Sequence, residues 1–493
     1  MACYRIRCPL SPHSSVFGTV AGRSAWAGPT WRTVELLQTP DTSRSTTLTS
    51  RPSGPVEGQL TRGSFAILIS VVANAVGGLV YWIVVARAAS TSVVGTSSAM
   101  FQTLLFANFV GNVGLPVTIA RYAKGSDDQS VNVANWSVLF RIVSAVVGVV
   151  VVLLFAQSAG PIERLDVWGP YAGRLVFALG AVGAALSVIV EARLVTLRLW
   201  GWVIGRSVFA ALARLPLVGI VVLNGSESYS GLLVFAIAVG PVALTGYLGT
   251  IALRLTVDKS PKLRPGHIQQ SREIANFSLV NWFGLLATQA PLFGIPVIVA
   301  FATESREFAA FFIAWSFGAM AFLVPHTISQ VALSELGKQG DSGAVAGPDS
   351  DPGVANQFMP GSELVNKINS GLRLALLATC FGAVAAWLAA GTIASIYGTG
   401  YRSLTFHLPL LAGASISWAY TSMGLTAARA VNRNRLVMAL SAIFVVATVG
   451  PTLVFVGRFG TSAATWSWLG GSTLTAAVTA VFFWQPIRAA VFR

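Results

Sequence analysis

The residues of this chain with most potential for binding chemistry are arginines within one apolar segment. Arg214 lies near the centre of segment 202–223, and Arg206 lies eight residues before it. On a helix this spacing is about 12 Å along the axis, with the side chains about 80° apart. A guanidinium at mid-bilayer costs at least about 2.5–3.5 kcal/mol, so it normally faces a cavity or a partner. None of the eighteen acidic residues falls in the middle of an apolar segment, which favours an anionic ligand.

Arginine forks match phosphate oxygens in bidentate geometry, so a lipid diphosphate head group is a natural ligand for such a cavity. Arg141 adds a third cation near the cytoplasmic end of another segment. Each arginine also has a structural interpretation. Pro216 frees the carbonyl of Leu212 for a donor such as Arg214. Arg206 has Glu191 within reach across a short link, and Arg141 is typical of an interfacial anchor.

Three polar residues are further candidates for the lining of the same cavity. Asn74 and Asn281 each lie in the first apolar segment of one half of the chain, and Gln289 follows Asn281. The segment that holds Asn281 and Gln289 also contains Pro291 and Pro296, which predict a bent helix. Hydrogen bonds between helices and a static kink explain these residues equally well.

The composition excludes several classes of protein. The chain of 493 residues is 54% hydrophobic and 10% charged, whereas a soluble domain is about 25% charged. The mean hydropathy is +0.68. An ordinary soluble enzyme, a disordered chain and a nucleic-acid-binding protein are therefore excluded, despite the net charge of +15. Cys3, Cys8 and Cys380 fit neither a disulfide framework nor a metal site.

Apolar segments of about 20 residues predict transmembrane helices, since each must cross about 30 Å of hydrocarbon. The hydrophobic runs do not alternate with period two, which excludes a β-barrel. The sequence therefore predicts an all-α polytopic membrane protein with twelve spans. They are centred on 64–86, 97–119, 135–156, 172–192, 202–223, 231–253, 276–299, 308–331, 373–396, 406–427, 435–457 and 464–485.

The distribution of basic residues predicts the orientation. Most lysines and arginines fall in the connections on one side, which places both termini in the cytoplasm. The external side carries fewer basic residues, namely Arg87, Arg164, Arg174, Arg306, Arg402 and Arg458.

The chain divides into two halves that both enter the membrane from the cytoplasm, so they are expected to form parallel repeats. Residues 1–62 are expected to form a disordered cytoplasmic tail, and 63–255 a first lobe of six helices. Residues 256–275 are expected to link the lobes, and 276–493 to form the second lobe with a flexible loop at 332–370. Whether residues 1–62 belong to the mature protein is left open.

Two other functions compete with transport of an anionic lipid. A membrane glycosyltransferase or polymerase would need acidic residues for catalysis, and the first external link has none. No metal cluster, nucleotide loop or nucleophile elbow is recognisable, so we expect no cofactor and no enzymatic activity. A cation-coupled small-molecule exporter usually carries a carboxylate within its spans, and none is predicted here.

The opening of the first half resembles the Wzx-like polysaccharide flippases of the multidrug/oligosaccharidyl-lipid/polysaccharide (MOP) superfamily. A helix ends in Ala-Arg, a short link contains a glycine, and a second helix contains Gly-Leu before a closing arginine. The matching residues are 79–87, Val94, Gly95, Phe101, Gly114, Leu115, Pro116 and 119–122. The specific match covers about 60 residues, and the twelve-span plan extends it loosely over the rest.

This resemblance implies two six-helix lobes around a central cavity and alternating access. It also implies that a polyprenyl-diphosphate-linked oligosaccharide is carried across a bacterial cytoplasmic membrane for cell-surface polysaccharide synthesis. Expected partners are this lipid-linked glycan, membrane lipids and a polymerase or glycosyltransferase. Arg214 and Arg206 are the best matches to the cation-lined cavity of the family, followed by Arg141, Asn74, Asn281 and Gln289.

Overall fold

Helices account for nearly all of the described residues of the computed structural model, and these residues contain no strand. The described ranges are 54–123, 128–155, 171–224, 227–257, 268–342, 361–430 and 433–491. The predicted tail up to residue 53, most of the predicted linker and the centre of the 332–370 loop lie outside them.

The described ranges contain twelve α-helices. In the first half they are α1 Gly54–Ala88, α2 Thr91–Val110, α3 Leu115–Tyr122, α4 Asp128–Phe155, α5 Ala172–Thr196, α6 Trp200–Asn224 and α7 Glu227–Thr256. In the second half they are α8 Ile268–Ala302, α9 Ser305–Ser342, α10 Gly361–Tyr397, α11 Leu404–Ala430 and α12 Asn434–Val491.

The predicted fold class, an all-α protein with multiple membrane spans, is confirmed. Among the described residues, ten helices are long and apolar enough to cross a membrane. One of them covers 435–481 of α12 and crosses twice, because α12 folds back at Gly460, whose backbone is not helical. Gly471 packs directly against Ala447 and Thr448 across this hairpin. When the two arms of α12 are counted separately and α11 is added, which packs against α9, α10 and α12, the described residues supply helices for the predicted twelve spans.

The second span is broken rather than continuous. It consists of α2 and α3, which are separated at Gly111–Gly114. Val113 and Gly114 both have positive φ angles, of 44° and 70°. Gly114 lies against the carbonyl of Ser278 on α8, where a side chain would overlap the backbone. The break therefore lets α3 lie directly on α8 of the other half.

The two halves repeat one packing scheme. In the first half α1 packs along α6 and α5 packs along α7, while in the second half α8 and α11 each pack along α12. We name the end of the bundle where α1 ends and α2 begins the outer end, and the opposite end the inner end. The charge distribution predicts that the outer end faces the exterior.

Some predicted boundaries differ from the observed helices. The tail was expected to extend to residue 62, but α1 begins at Gly54. Pro55 does not prevent this, because a proline in the first turn lacks an N–H that would in any case be unpaired. Short helical extensions at 334–338 and 362–367 are expected at the ends of the predicted 332–370 loop, and helices α9 and α10 do extend to Ser342 and from Gly361.

The hairpin at Gly460 provides a test of the fold. The backbone of Gly460 has φ 56° and ψ −142°, and a Cβ there would overlap the carboxylate of Glu307. We expect Gly460→Ala to destabilise the protein by about 1–3 kcal/mol, since this backbone conformation is strained for any L residue. The midpoint of thermal unfolding in detergent measures the change.

Gly457→Ala is the matched control, because Gly457 is helical and a Cβ there meets no atom within 4 Å. We expect its unfolding midpoint to stay unchanged or rise. Equal midpoints for the two variants would contradict the hairpin geometry.

Candidate functional site

A cavity of about 270 Å³ lies between the two halves at about mid-depth of the bundle. Helices α1, α2, α6 and α7 line it from the first half, and α9 and α10 from the second. Its lining residues are Asn74, Ala75, Gly78, Leu79, Tyr81, Trp82, Phe101, Arg214, Ala238, Phe312, Ile313, Ser316, Phe317, Met320 and Tyr397. Of the six residues proposed from the sequence, the structure brings Arg214 and Asn74 together here.

Arg214 is the one charged residue in this lining. Its side chain projects from the middle of α6, and the residue is 8% exposed. Gly78 on the neighbouring α1 lies beside the guanidinium, since a Cβ there would be in ordinary van der Waals contact with Nη1 of Arg214, at 4.0 Å. Helices α1 and α6 approach closely below it, where Gly77 lies against Ala211. Small residues at the α1–α6 contact thus position the cation at the cavity wall.

The hydrogen-bonding capacity of Arg214 is largely unused. Its Nε is buried and has no hydrogen-bond partner, and among the described residues it has no ion-pair partner. The hydroxyl of nearby Tyr81 donates to the carbonyl of Val234 at 2.5 Å. Pro216 leaves the carbonyl of Leu212 without its helical donor. No hydrogen bond from Arg214 to this carbonyl is observed among the described residues. The guanidinium is therefore available to an anion in the cavity.

Arg206 lies outside the cavity lining. It donates to the carbonyl of Ser187 at 2.7 Å and to the Ser187 hydroxyl at 2.5 Å. It also forms an ion pair with Glu191. Both partners are on α5, so the structure shows the pairing that the sequence left open as the structural alternative.

Arg141 is also outside the lining and is 1% exposed, so its side chain is enclosed by protein. Its Nη2 donates to the backbone carbonyl of Asn108 at 2.7 Å and to the side-chain oxygen of Asn108 at 3.1 Å. Gly111, at the break between α2 and α3, lies beside its Nη1. Arg141 therefore fastens α4 to the last turn of α2, at the broken span.

The three predicted amide residues do not share one site, since one lines the cavity and two lie on α8 outside it. Asn74 lines the cavity and also donates to the carbonyl of Ser70, one turn earlier, at 3.1 Å. Asn281 donates to the carbonyl of Phe277 in the same way at 2.8 Å. Asn281 and Gln289 are half-buried on α8 and do not line the cavity. Helix α8 continues through Pro291 and Pro296 without interruption.

An aromatic cluster closes the cavity toward the outer end, and the sequence analysis did not identify it. The ring of Trp82 lies 4.9 Å from that of Phe312 and 6.1 Å from that of Phe101, each edge to face. Phe312 belongs to the second half and the other two to the first. Such pairs add about 0.5–1.5 kcal/mol each beyond burial. The only available signal in the sequence was the density of aromatic residues in these segments.

Polar contacts seal the outer end beyond this cluster. The hydroxyl of Thr96 on α2 donates to that of Ser305 on α9 at 3.2 Å. Arg87, the penultimate residue of α1, donates to the carbonyls of Ser395 and Ile396 at 2.7 Å and 2.5 Å. Those carbonyls belong to the last turn of α10, where helix carbonyls lack intrahelical partners. In this conformation the cavity does not open at the outer end.

A polar network in the second half was not predicted from the sequence. Glu307 accepts hydrogen bonds from the backbone N–H and the hydroxyl of Thr461, at 2.8 Å and 2.6 Å. Buried His407 contacts the hydroxyls of Thr461 and Thr465 at 3.3 Å and 2.8 Å. This network fixes the start of α9 and part of α11 to the α12 hairpin, because a carboxylate stabilises the N-terminus of a helix.

No protein-family model and no curated protein matches the sequence. Solved structures do match. An inward-facing multidrug resistance MATE family transporter of the MOP superfamily aligns with a TM-score of 0.61 and 14% identity, over 87% of this chain and 98% of the other. An outward-facing transporter of the same description gives a TM-score of 0.54 and 17% identity, over 87% and 96%.

A third structure is a MOP superfamily transporter from Pyrococcus furiosus, described by a binding pocket of reverse polarity that suggests a different function. It aligns with a TM-score of 0.56 and 14% identity, over 88% of this chain and 96% of the other. This chain thus has the fold of MOP superfamily transporters. The structural similarity covers the fold alone. The narrower resemblance to polysaccharide flippases remains a prediction.

Two of the buried arginines, Arg141 and Arg214, should differ in their effect on stability. Arg141→Leu leaves both oxygens of Asn108 without their donor, which costs about 1–3 kcal/mol. Arg214→Leu removes a buried charge that lacks a counter-charge, and such a replacement is often neutral or stabilising. Thermal unfolding in detergent should therefore show a lower midpoint for Arg141→Leu and an unchanged or higher midpoint for Arg214→Leu. An equal loss in both variants would mean that Arg214 is a structural residue.

Proposed function

We propose that this protein moves an anionic, lipid-linked glycan from the inner to the outer leaflet by alternating access. The substrate class is a polyprenyl-diphosphate-linked oligosaccharide, and the membrane is a bacterial cytoplasmic membrane. The reaction involves no covalent chemistry and no cofactor. A polymerase or glycosyltransferase that uses the same lipid would act alongside it.

The observation that carries this proposal is the state of Arg214. A cavity whose lining contains one guanidinium and no carboxylate attracts anions. The unpaired donors of that guanidinium match the oxygens of a phosphate, which accepts two parallel hydrogen bonds from an arginine. A sugar alone offers no negative charge and would leave the cation uncompensated. The diphosphate is the part of the substrate with the complementary charge.

The dimensions of the cavity agree with a head group rather than a complete glycan. At about 270 Å³ it lies just below the range of about 300–1,000 Å³ typical of pockets for drug-sized ligands. Aromatic and aliphatic side chains form most of its wall, on which the apolar faces of sugar rings can pack. The remaining sugars would occupy the wider space that opens when the halves separate.

The packing of α1 leaves one face for lipid beside the cavity. Helix α1 contacts the second half through Trp82 and Arg87, while Val71, Val76 and Val84 are exposed, at 52%, 53% and 38%. A head group in the cavity would let its lipid chain stay in the bilayer along this exposed face.

Export of a small molecule is the second candidate, favoured by the descriptions of the matching structures as multidrug resistance transporters. The charge of the cavity also limits which small molecules it can bind. Arg214 repels cations and attracts anions, so an exported small molecule is expected to be an amphiphilic anion. The two candidates share the cavity and differ in whether the substrate carries a polyprenyl chain.

Transport by purified protein in vesicles tests the proposal. We expect wild-type protein to move a fluorescent polyprenyl-diphosphate oligosaccharide between leaflets, with its mass unchanged. Arg214→Gln should lower the initial rate at least tenfold, since it removes a charge-assisted bidentate contact. Arg214→Lys should retain an intermediate rate, because lysine keeps the charge but not the fork.

The double variant Arg206→Gln/Glu191→Gln is the matched control. It neutralises the ion pair between α6, the helix of Arg214, and α5, outside the cavity, and we expect it to keep more than half of the wild-type rate. Undiminished transport by Arg214→Gln would refute the role of Arg214. Movement of anionic small molecules without the lipid-linked glycan would support the exporter, and a changed glycan mass would support an enzyme.

A disulfide across the outer seal tests alternating access itself. In a protein without its native cysteines, the pair Thr96→Cys/Ser305→Cys joins the two halves where their hydroxyls lie 3.2 Å apart. We expect oxidation to stop transport and reduction to restore it. The control pair Ser417→Cys/Thr473→Cys has the same hydroxyl separation of 3.2 Å within the second half, and its oxidation should leave transport intact. Full transport with the outer seal cross-linked would contradict the mechanism.

A further inference from the structure

A second cavity, of about 810 Å³, lies at the outer end, directly beyond the seal. We call it the outer pocket. It is formed by the ends of α1 and α10, the start of α2, and the turn between α10 and α11. Its lining residues are Ala86, Arg87, Thr91, Gly391, Ala394, Ser395, Tyr397, Gly398, Thr399, Gly400, Tyr401, Arg402 and Thr405.

The outer pocket is separated from the central cavity by a shared wall. Tyr397 lines both of them, and it is 2% exposed. A ligand that leaves the central cavity toward the outer end as the halves separate therefore meets the outer pocket next. The two cavities lie one behind the other between the halves.

The charge of the outer pocket is entirely positive. Its lining contains Arg87 and Arg402 and no acidic residue. Arg402 is exposed, and its guanidinium makes no hydrogen bond or ion pair with a described residue. Thr91 adds the first turn of α2, where the helix dipole and free backbone N–H groups favour an anion.

A buried hydroxyl without a partner is the second, independent sign of a ligand. Tyr401 lines the outer pocket, is 1% exposed, and its hydroxyl has no hydrogen-bond partner. Leaving a buried polar group unpaired costs about 1–3 kcal/mol. This hydroxyl has almost no accessible surface, so a movement of the Tyr401 side chain toward the outer pocket would let a bound oxyanion satisfy it together with the two guanidinium groups.

Arg87 connects the outer pocket to the seal. Its Nε and Nη2 hold the carbonyls of Ile396 and Ser395, while an arginine offers five N–H donors in all. The remaining donors are available to an anion without breaking the seal. A charged oxygen is also a stronger acceptor than a carbonyl, so an anion that competes for Arg87 would weaken the attachment of α1 to α10.

We propose that the outer pocket is a second binding site for a phosphate or diphosphate group, formed by Arg87, Arg402 and Tyr401. The substrate chemistry is taken from the proposed function, on which this inference rests. The head group occupies the outer pocket after it leaves Arg214 and before release into the outer leaflet.

Binding measurements on the full-length protein in nanodiscs test this site separately from transport. The probes are inorganic pyrophosphate and farnesyl diphosphate, titrated by calorimetry. The background variant is Arg214→Gln, which removes the cation of the central cavity, so the remaining diphosphate binding reports on the outer pocket. We expect Arg402→Gln in this background to weaken the affinity of at least one probe by tenfold or more.

Arg458→Gln is the matched control, because Arg458 is an outer-end arginine whose guanidinium lies over the Phe459 ring, outside the outer pocket. It should change the affinity by less than twofold. Binding of both probes identifies the diphosphate itself as the ligand, and binding of farnesyl diphosphate alone identifies a lipid head group. Either result supports the site if Arg402→Gln weakens binding of the probe and Arg458→Gln does not.

Two results would overturn the inference. One is the loss of all diphosphate binding in the Arg214→Gln background, and the other is an equal effect of Arg402→Gln and Arg458→Gln. Since no translocation is needed for this measurement, selective binding at Arg402 can persist even if the vesicle experiment excludes lipid-linked glycans as cargo. Failure of the outer pocket alone would leave the role of Arg214 intact.

Discussion

The structure depends on one electrostatic constraint, a buried guanidinium that has no carboxylate beside it. In a medium of low dielectric constant, an isolated charge is expensive unless hydrogen bonds or a counter-ion compensate it. Arg214 is 8% exposed, and its Nε has no partner. The fold tolerates this cost at the wall of a cavity between its halves, where a mobile anion can supply the missing charge.

The outer seal has to be strong enough to close the bundle and weak enough to open. It is built from aromatic edge-to-face pairs, one hydroxyl pair and the bonds of Arg87 to helix carbonyls. None of these contacts is an ion pair. Each is worth about 1 kcal/mol, so a modest difference in binding energy between the two conformations can shift the equilibrium. On the side of α2 and α8, Trp282 donates to the carbonyl of Val110 and α3 lies on α8, which keeps the halves connected far from the seal.

The sequence predicts the twelve crossings well, because the thickness of the bilayer imposes a length on each apolar segment. Even the hairpin of α12 was expected as two spans, since Gly460 lies between two apolar runs. The sequence cannot fix which face of a helix meets the cavity. Arg206 and Arg214 share α6, yet one is paired with Glu191 and the other lines the cavity. The helical spacing predicts that the side chains of Arg206 and Arg214 point in different directions. Which of them is paired depends on the position of Glu191 on the neighbouring α5.

The same limit explains why the outer pocket was missed. Arg87 and Arg402 are 315 residues apart in the chain, and in the sequence they count only as basic residues of the external side. Packing of the α10–α11 turn on Thr91, where Gly400 lets the backbone approach closely, brings them into one pocket.

The arginines of this protein are thus distinguished by what their donors contact. Arg141 and Arg206 each donate to a neighbouring helix and hold the first half together, although Nε of both and Nη1 of Arg141 have no partner. Arg214 and Arg402 donate to no described residue, and each lines a cavity. A cation that donates to a neighbouring helix contributes to stability, and one that donates to none and lines a cavity can bind an anion.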